Sequence, residues 1–170
     1  DIRSETQSDD PEVDSAMVER IVSALSPRVD FDGIARAVMG EHTAAASEEQ
    51  ISEFSRTFRT TMTELYLRNL LNLEIQDVQV EPPGDGFDPS SGRANVEMTA
   101  VVDGGEEYII RYSMRTDAQG EWRILNIIIE GVNIGLTYMN QFDSAMERRG
   151  DIDAVIDQWQ EEARAVDTSG

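Results

Sequence analysis

His42 is the single histidine of the chain, and there is no cysteine. A serine–histidine–aspartate triad would have to run through His42. Thiol catalysis, thiolate metal sites and disulfides are excluded together. His42 comes just after Gly40, which reads as the end of a helix, and no nucleophile pattern accompanies it, so a surface or structural role is expected. Histidine-based zinc sites in most cases need more than one such ligand, so no metal site is expected. Asp30-Phe31-Asp32-Gly33 and Asp85-Gly86-Phe87-Asp88 carry fragments of a calcium loop. Neither has the full spacing or the distal glutamate, and both read better as helix caps and turns. No glycine-rich phosphate loop and no nucleophile elbow occurs.

Asn126 and Glu130 stand out because they lie in the most apolar stretch of the chain, Glu121–Phe142, EWRILNIIIEGVNIGLTYMNQF. A carboxylate buried there would have a raised pKa and the makings of a general base. No second catalytic group is identifiable, so the expected roles are a structural hydrogen bond for Asn126 and a strand-end cap for Glu130. Seven methionines, at 17, 39, 62, 98, 114, 139 and 146, fall among the apolar positions. Methionine packs adaptably, which suits either an ordinary core or the lining of an apolar cavity.

Charge narrows the field further. The formal net charge is −20, and all 14 basic residues are arginine. Phosphates of nucleic acid would be repelled over the whole surface, so no nucleic-acid partner is expected. Electrostatic attachment to anionic headgroups is disfavoured for the same reason. No run approaches the ~18 apolar residues of a transmembrane span, so stable membrane insertion is not expected.

The elements that must position these residues follow from periodicity. Residues 1–10 read as a loose polar tail, and residues 11–166 as one domain. Asp10-Pro11 opens a helix to about Leu25, and Asp30 or Asp32 caps a second one ending at Gly40. Ser47-Glu48-Glu49-Gln50 is a capping box that starts the longest helix. Its apolar positions Ile51, Phe54, Phe58, Met62, Leu65, Tyr66 and Leu70 share one face. A strand follows over Leu73–Glu81, with a bulge expected near Gln76-Asp77. After a turn-rich loop, Ala94, Val96, Met98, Ala100 and Val102 alternate in one strand, and Tyr108, Ile110, Tyr112 and Met114 in the next. Trp122–Ile129, which includes Ile128, is apolar on both sides and reads as the innermost strand. Glu130-Gly131 is a corner. A helix with Tyr138 and Phe142 runs to about Arg148, and a last helix carries Ile152, Val155, Ile156 and Trp159. The order predicts an α+β fold in which a four-stranded antiparallel sheet curls around helices into a cone with an apolar interior.

Taken together and in order, several segments resemble the MlaC family of phospholipid shuttles, also called the toluene-tolerance auxiliary family. They are Phe31–Gly40; Glu49-Gln50 with Phe54, Phe58, Tyr66 and Leu70; the Tyr112 strand; Trp122-Arg123-Ile124; Ile129–Asn133; Tyr138, Gln141 and Phe142; and Gly150, Asp153 and Ile156. The match runs from about Val29 to Trp159. Thr43 departs from the family pattern, where an aromatic residue is common, and Met139 stands where an arginine usually follows the tyrosine. The resemblance implies a nuclear-transport-factor-two-like cone and no enzymatic activity. It implies a soluble periplasmic carrier, its signal peptide removed, that holds a glycerophospholipid as cargo and needs no cofactor. It further implies docking to an inner-membrane ABC-transporter lipid complex and an outer-membrane lipoprotein–porin complex, and a role in outer-membrane lipid asymmetry.

The lipid-lining set that the resemblance implies for the apolar stripes is Phe58, Met62, Leu65, Tyr66, Leu70, Val96, Met98, Ala100, Ile110, Tyr112, Met114, Ile128, Tyr138 and Phe142. Two other readings stay open on the residues alone. One is a small-molecule isomerase or dehydratase on the same cone, which needs Asn126, Glu130, Tyr112 or Tyr138 to converge. The other is a protein-interaction module with a solid interior.

Overall fold

The computed structural model describes residues 20, 23, 24, 26–72 and 74–167, with backbone alone for residues 64–72, 166 and 167. The expected tail 1–10 and most of the expected first helix lie outside the described residues, as do the side chains of Leu65, Tyr66 and Leu70.

Helix α1 is Phe31–Met39, and Asp30 is its N-cap, accepting from the Gly33 N–H at 2.9 Å. It stops at Gly40, whose φ of 55° is left-handed and suits glycine. A 3-10 turn over Gly40–Ala44 leads to α2, Glu48–Asn72. The capping box forms as read. Ser47 N–H donates to Gln50 Oε1 at 2.9 Å, and Gln50 N–H donates to Ser47 Oγ at 3.1 Å. After the strands, α3 is Ile134–Arg149 and α4 is Ile152–Asp167. No described helix is long and apolar enough to cross a membrane.

The sheet has five antiparallel strands in chain order: β1 Ile75–Glu81, β2 Arg93–Val102, β3 Glu107–Thr116, β4 Trp122–Ile129 and β5 Val132–Asn133. The expected count of four missed β5, which is too short to leave an alternation pattern. Glu130 (φ 49°) and Gly131 (φ 79°) are both left-handed, which closes a tight hairpin and returns the chain along β4. Glu130 holds the turn: its N–H donates to Ile109 O, and its carboxylate accepts from the Ile109 N–H.

β4 is therefore not innermost. It is next to the end, with β5 and an isolated bridge from Val29 to Ile124 along its outer side. A strand covered in this way is as apolar on both faces as a central one, so the two read alike in sequence. The bulge in β1 falls between Ile75 and Asp77, where it was expected. A second shift between Ser113 and Met114 leaves Leu125 without an opposite residue.

The buried core is made by helices. Phe54 and Phe142 are fully buried and meet edge to face at 5.0 Å, and Phe54 meets Trp159 at 5.2 Å. Ala35, Val38, Met39, Phe58, Met62, Val155 and Ile156 complete the cluster, and no described strand residue belongs to it. The sheet meets this bundle along β4, beside α1 and α3.

Candidate functional site

Side chains directly opposite in antiparallel strands share a face. The register therefore sorts the sheet. On one face stand Val78 and Val80 of β1; Ala94, Val96, Met98, Ala100 and Val102 of β2; Tyr108, Ile110, Tyr112 and Met114 of β3; and Ile124, Ile127 and Ile129 of β4. No charged residue interrupts it. On the other face Glu97 pairs with Arg111 at 2.6 Å, among Asn95, Thr99, Ser113 and Arg115. Ala100, Val102 and Ile110 of the apolar face are buried, whereas Val96, Met98, Tyr112 and Met114 are half-buried. Toward β1 the face opens, with Val78 44% and Val80 62% exposed. An apolar surface of this kind is unfavourable in water and gains from contact with other apolar groups. Burial raises the Tyr112 phenol above its ordinary pKa, so it stays neutral there.

The expected lining residues divide. Val96, Met98, Ala100, Ile110, Tyr112 and Met114 come together on this face. Phe58, Met62 and Phe142 lie in the helical core, and Tyr138 packs against it, 5.5 Å from the Phe58 ring and 5.7 Å from Trp159. Ile128 pairs with Arg111 and so lies on the face opposite these six. Ile124, Ile127 and Ile129 of the same strand stand on the apolar face. Their alternation is broken by the unpaired Leu125, so counting by twos from either end of the strand gives the wrong face.

The candidate polar groups do not converge. Asn126 donates to Asn133 Oδ1 at 2.9 Å and accepts from the Gly135 N–H at 3.0 Å, which fastens the start of α3 to β4. It pairs with Ser113 and therefore stands on the face opposite Tyr112. Glu130 is spent on the β3 backbone. His42 Nε2 lies 2.6 Å from Asp143 Oδ1 and its ring stacks obliquely 6.0 Å from Phe142, tying the 3-10 turn to α3. Donor atoms of Glu41, His42 and Asp143 lie within 4.8 Å of one another, the one such trio found among the described residues.

Two open clefts lie elsewhere. One of about 550 Å³ runs between α3 and α4, past Asn140, Gln141, Arg148, Gln158 and Glu162. The other, of about 570 Å³, lies where α1 begins beside the β3–β4 turn.

The fold is similar to that of a solved phospholipid-binding protein from Ralstonia solanacearum, determined in complex with a phospholipid. The two superpose with a TM-score of 0.79 at 22% identity, over 98% of this chain and 92% of that one. The MlaC protein family model matches residues 1–161, and the chain belongs to the MlaC family. Toluene tolerance protein ttg2D of Pseudomonas putida is 33% identical over 149 residues, which are 85% of this chain and 66% of that relative. The chain thus spans just under two thirds of the length of the curated relative it matches.

Proposed function

We propose that this chain is a periplasmic carrier of glycerophospholipid that keeps its cargo's acyl tails against the apolar face of the sheet and moves lipid between the two membranes. The observation that carries the reading is that face: an uncharged hydrocarbon surface outside the helical core, in a chain of net charge −20. Met98, Val96, Tyr112 and Met114, with Ile124, Ile127 and Ile129, form one wall. Phe58, Met62 and Phe142 stay in the helical core, with Tyr138 packed against it.

Burial of tails contributes ~0.8 kcal/mol per CH₂, so two long chains give on the order of 20 kcal/mol of gross transfer. Escape into water is then negligible, and release needs direct handover. Docking must therefore change the relative lipid affinities of donor and acceptor. The partners in this reading are an inner-membrane ABC-transporter lipid complex and an outer-membrane lipoprotein–porin complex. The role served is outer-membrane lipid asymmetry. No catalytic step is involved: Asn126 and Glu130 are structural, and Tyr138 sits against the core. No cofactor takes part; the lipid is cargo.

The test is mass spectrometry of lipid extracted from protein purified without delipidation, with uptake from vesicles as a second readout. Protein that is empty after mild purification and takes up no lipid refutes the reading.

A further inference from the structure

The cleft beside the β3–β4 turn is unusual for its charge. Three of the chain's 14 arginines line it, Arg59 from α2, Arg115 from β3 and Arg123 from β4, together with Asp30, Asp32 and Asp117. In a chain of net charge −20, three arginines here face three aspartates. Arg123 is committed to Asp117 at 2.7 Å, and Arg115 to Asp30 at 2.8 Å with half of its side chain exposed. Arg59 lies over the Phe31 ring, 4.9 Å from its centroid, and among the described residues no carboxylate pairs with it. Asp32 uses Oδ1 to accept from Ser55 Oγ, which leaves Oδ2 without a partner among the described residues. The groups left over are thus a guanidinium, the spare N–H groups of a second, and a carboxylate oxygen.

The cleft lies at the rim of the sheet, where Arg115 and Arg123 enter it from the polar face and it also reaches the edge of the apolar one. Thr116 lines it and belongs to the same face as Met114, and Val29, which bridges Ile124, lines it as well. A plain anion approaching this protein is repelled by the whole molecule, whereas a zwitterion has no net charge to repel. We propose that the cleft binds the phosphate–ammonium group of an ethanolamine phospholipid, the phosphate on Arg59 and Arg115 and the ammonium on Asp32. Guanidinium–phosphate hydrogen bonds are charge-assisted and directional, which gives the site its selectivity. The proposal rests on the carrier reading and names the headgroup class of its cargo.

The experiment exposes the purified protein to vesicles of phosphatidylethanolamine and phosphatidylglycerol in equal parts with identical tails, then measures both lipids in the recovered protein. The ratio per lipid bound reads the cleft, and the total reads the carrier function. The wild type is expected to enrich the ethanolamine lipid several-fold. Arg59→Gln and Asp32→Asn, both at exposed positions, are expected to bring the ratio back to that of the vesicles. In parallel, soluble phosphoethanolamine is titrated against inorganic phosphate by NMR, with shifts expected at Phe31, Asp32 and Arg59 for the zwitterion alone. Lipid bound at the vesicle ratio by the wild type, with no phosphoethanolamine shifts, overturns the headgroup assignment and leaves the carrier intact. Phosphoethanolamine binding without lipid enrichment supports the cleft as a site for the free zwitterion. Equal binding of inorganic phosphate overturns the zwitterion. If no lipid is bound at all, the carrier reading fails and the titration alone decides the cleft.

Discussion

Met98→Asp separates the wall of the apolar face from the core of the fold. Met98 is half-buried, opposite Ile110 on one side and Val80 on the other, and Val80 is 62% exposed. Water reaches this position in the empty protein, so an aspartate there can stay ionised. Folding then loses the packing of one partly buried side chain, about 1–2 kcal/mol. Bound lipid changes the environment. With tails against the face, the carboxylate must be desolvated or protonated. From an unperturbed pKa near 3.9, protonation at about pH 7 costs about 4 kcal/mol, roughly a thousandfold in affinity. The variant should therefore melt close to the wild type and carry far less lipid. Thermal unfolding and native mass spectrometry read the two quantities on one sample. A variant that retains wild-type lipid refutes the placement of the tails, and one that unfolds outright shows that this face belongs to the core.

Phe142→Ala should do the reverse, costing about 3–5 kcal/mol of stability because the ring is fully buried against Phe54; denaturant unfolding reads this directly. Ser47→Ala breaks the reciprocal cap of α2 and should cost about 1 kcal/mol, with the loss visible as a lower midpoint at unchanged denaturant sensitivity. Burial raises the phenols of Tyr112 and Tyr138, so the folded state holds their protons more tightly than the unfolded chain does. Their contribution to stability is intact below pH 10.0, the ordinary tyrosine value, and is lost as pH rises above it through the folded pKa values; Tyr112→Phe should flatten part of that fall in an alkaline unfolding series. Asp117 shifts the other way, lowered first by the Glu121 N–H and then by Arg123, so its contribution is present above the ordinary 3.8 and fades in acid. Asp117→Asn should make acid unfolding of the β3–β4 turn less steep.

What the sequence carried well was whatever depends on local chemistry. The Asp30 cap, the Ser47–Gln50 box, the β1 bulge and the structural use of Asn126 and Glu130 each rest on neighbours within a few residues or on the strong contrast of a polar group in an apolar run. The family resemblance added the fold, because its motifs are spread along most of the chain. What the sequence left open was assignment across space. Phe58 and Phe142 have the same apolar signature whether they face a ligand or another helix. Ile128 sits between Ile127 and Ile129, all three alike in type, and only the unpaired Leu125 decides which of them look inward. The rank of β4 in the sheet depended on Val29 and β5, neither of which announces a strand.

A protein whose sheet keeps an apolar face outside its closed core has already hydrated, when empty, part of the surface that unfolding would normally expose. Heat-capacity change and denaturant sensitivity both scale with newly exposed area. The emptied chain should therefore unfold with a smaller heat-capacity increment and a shallower denaturant slope than other domains of its length. Cargo should restore both, so calorimetry of the same protein before and after lipid removal would weigh the hidden surface directly.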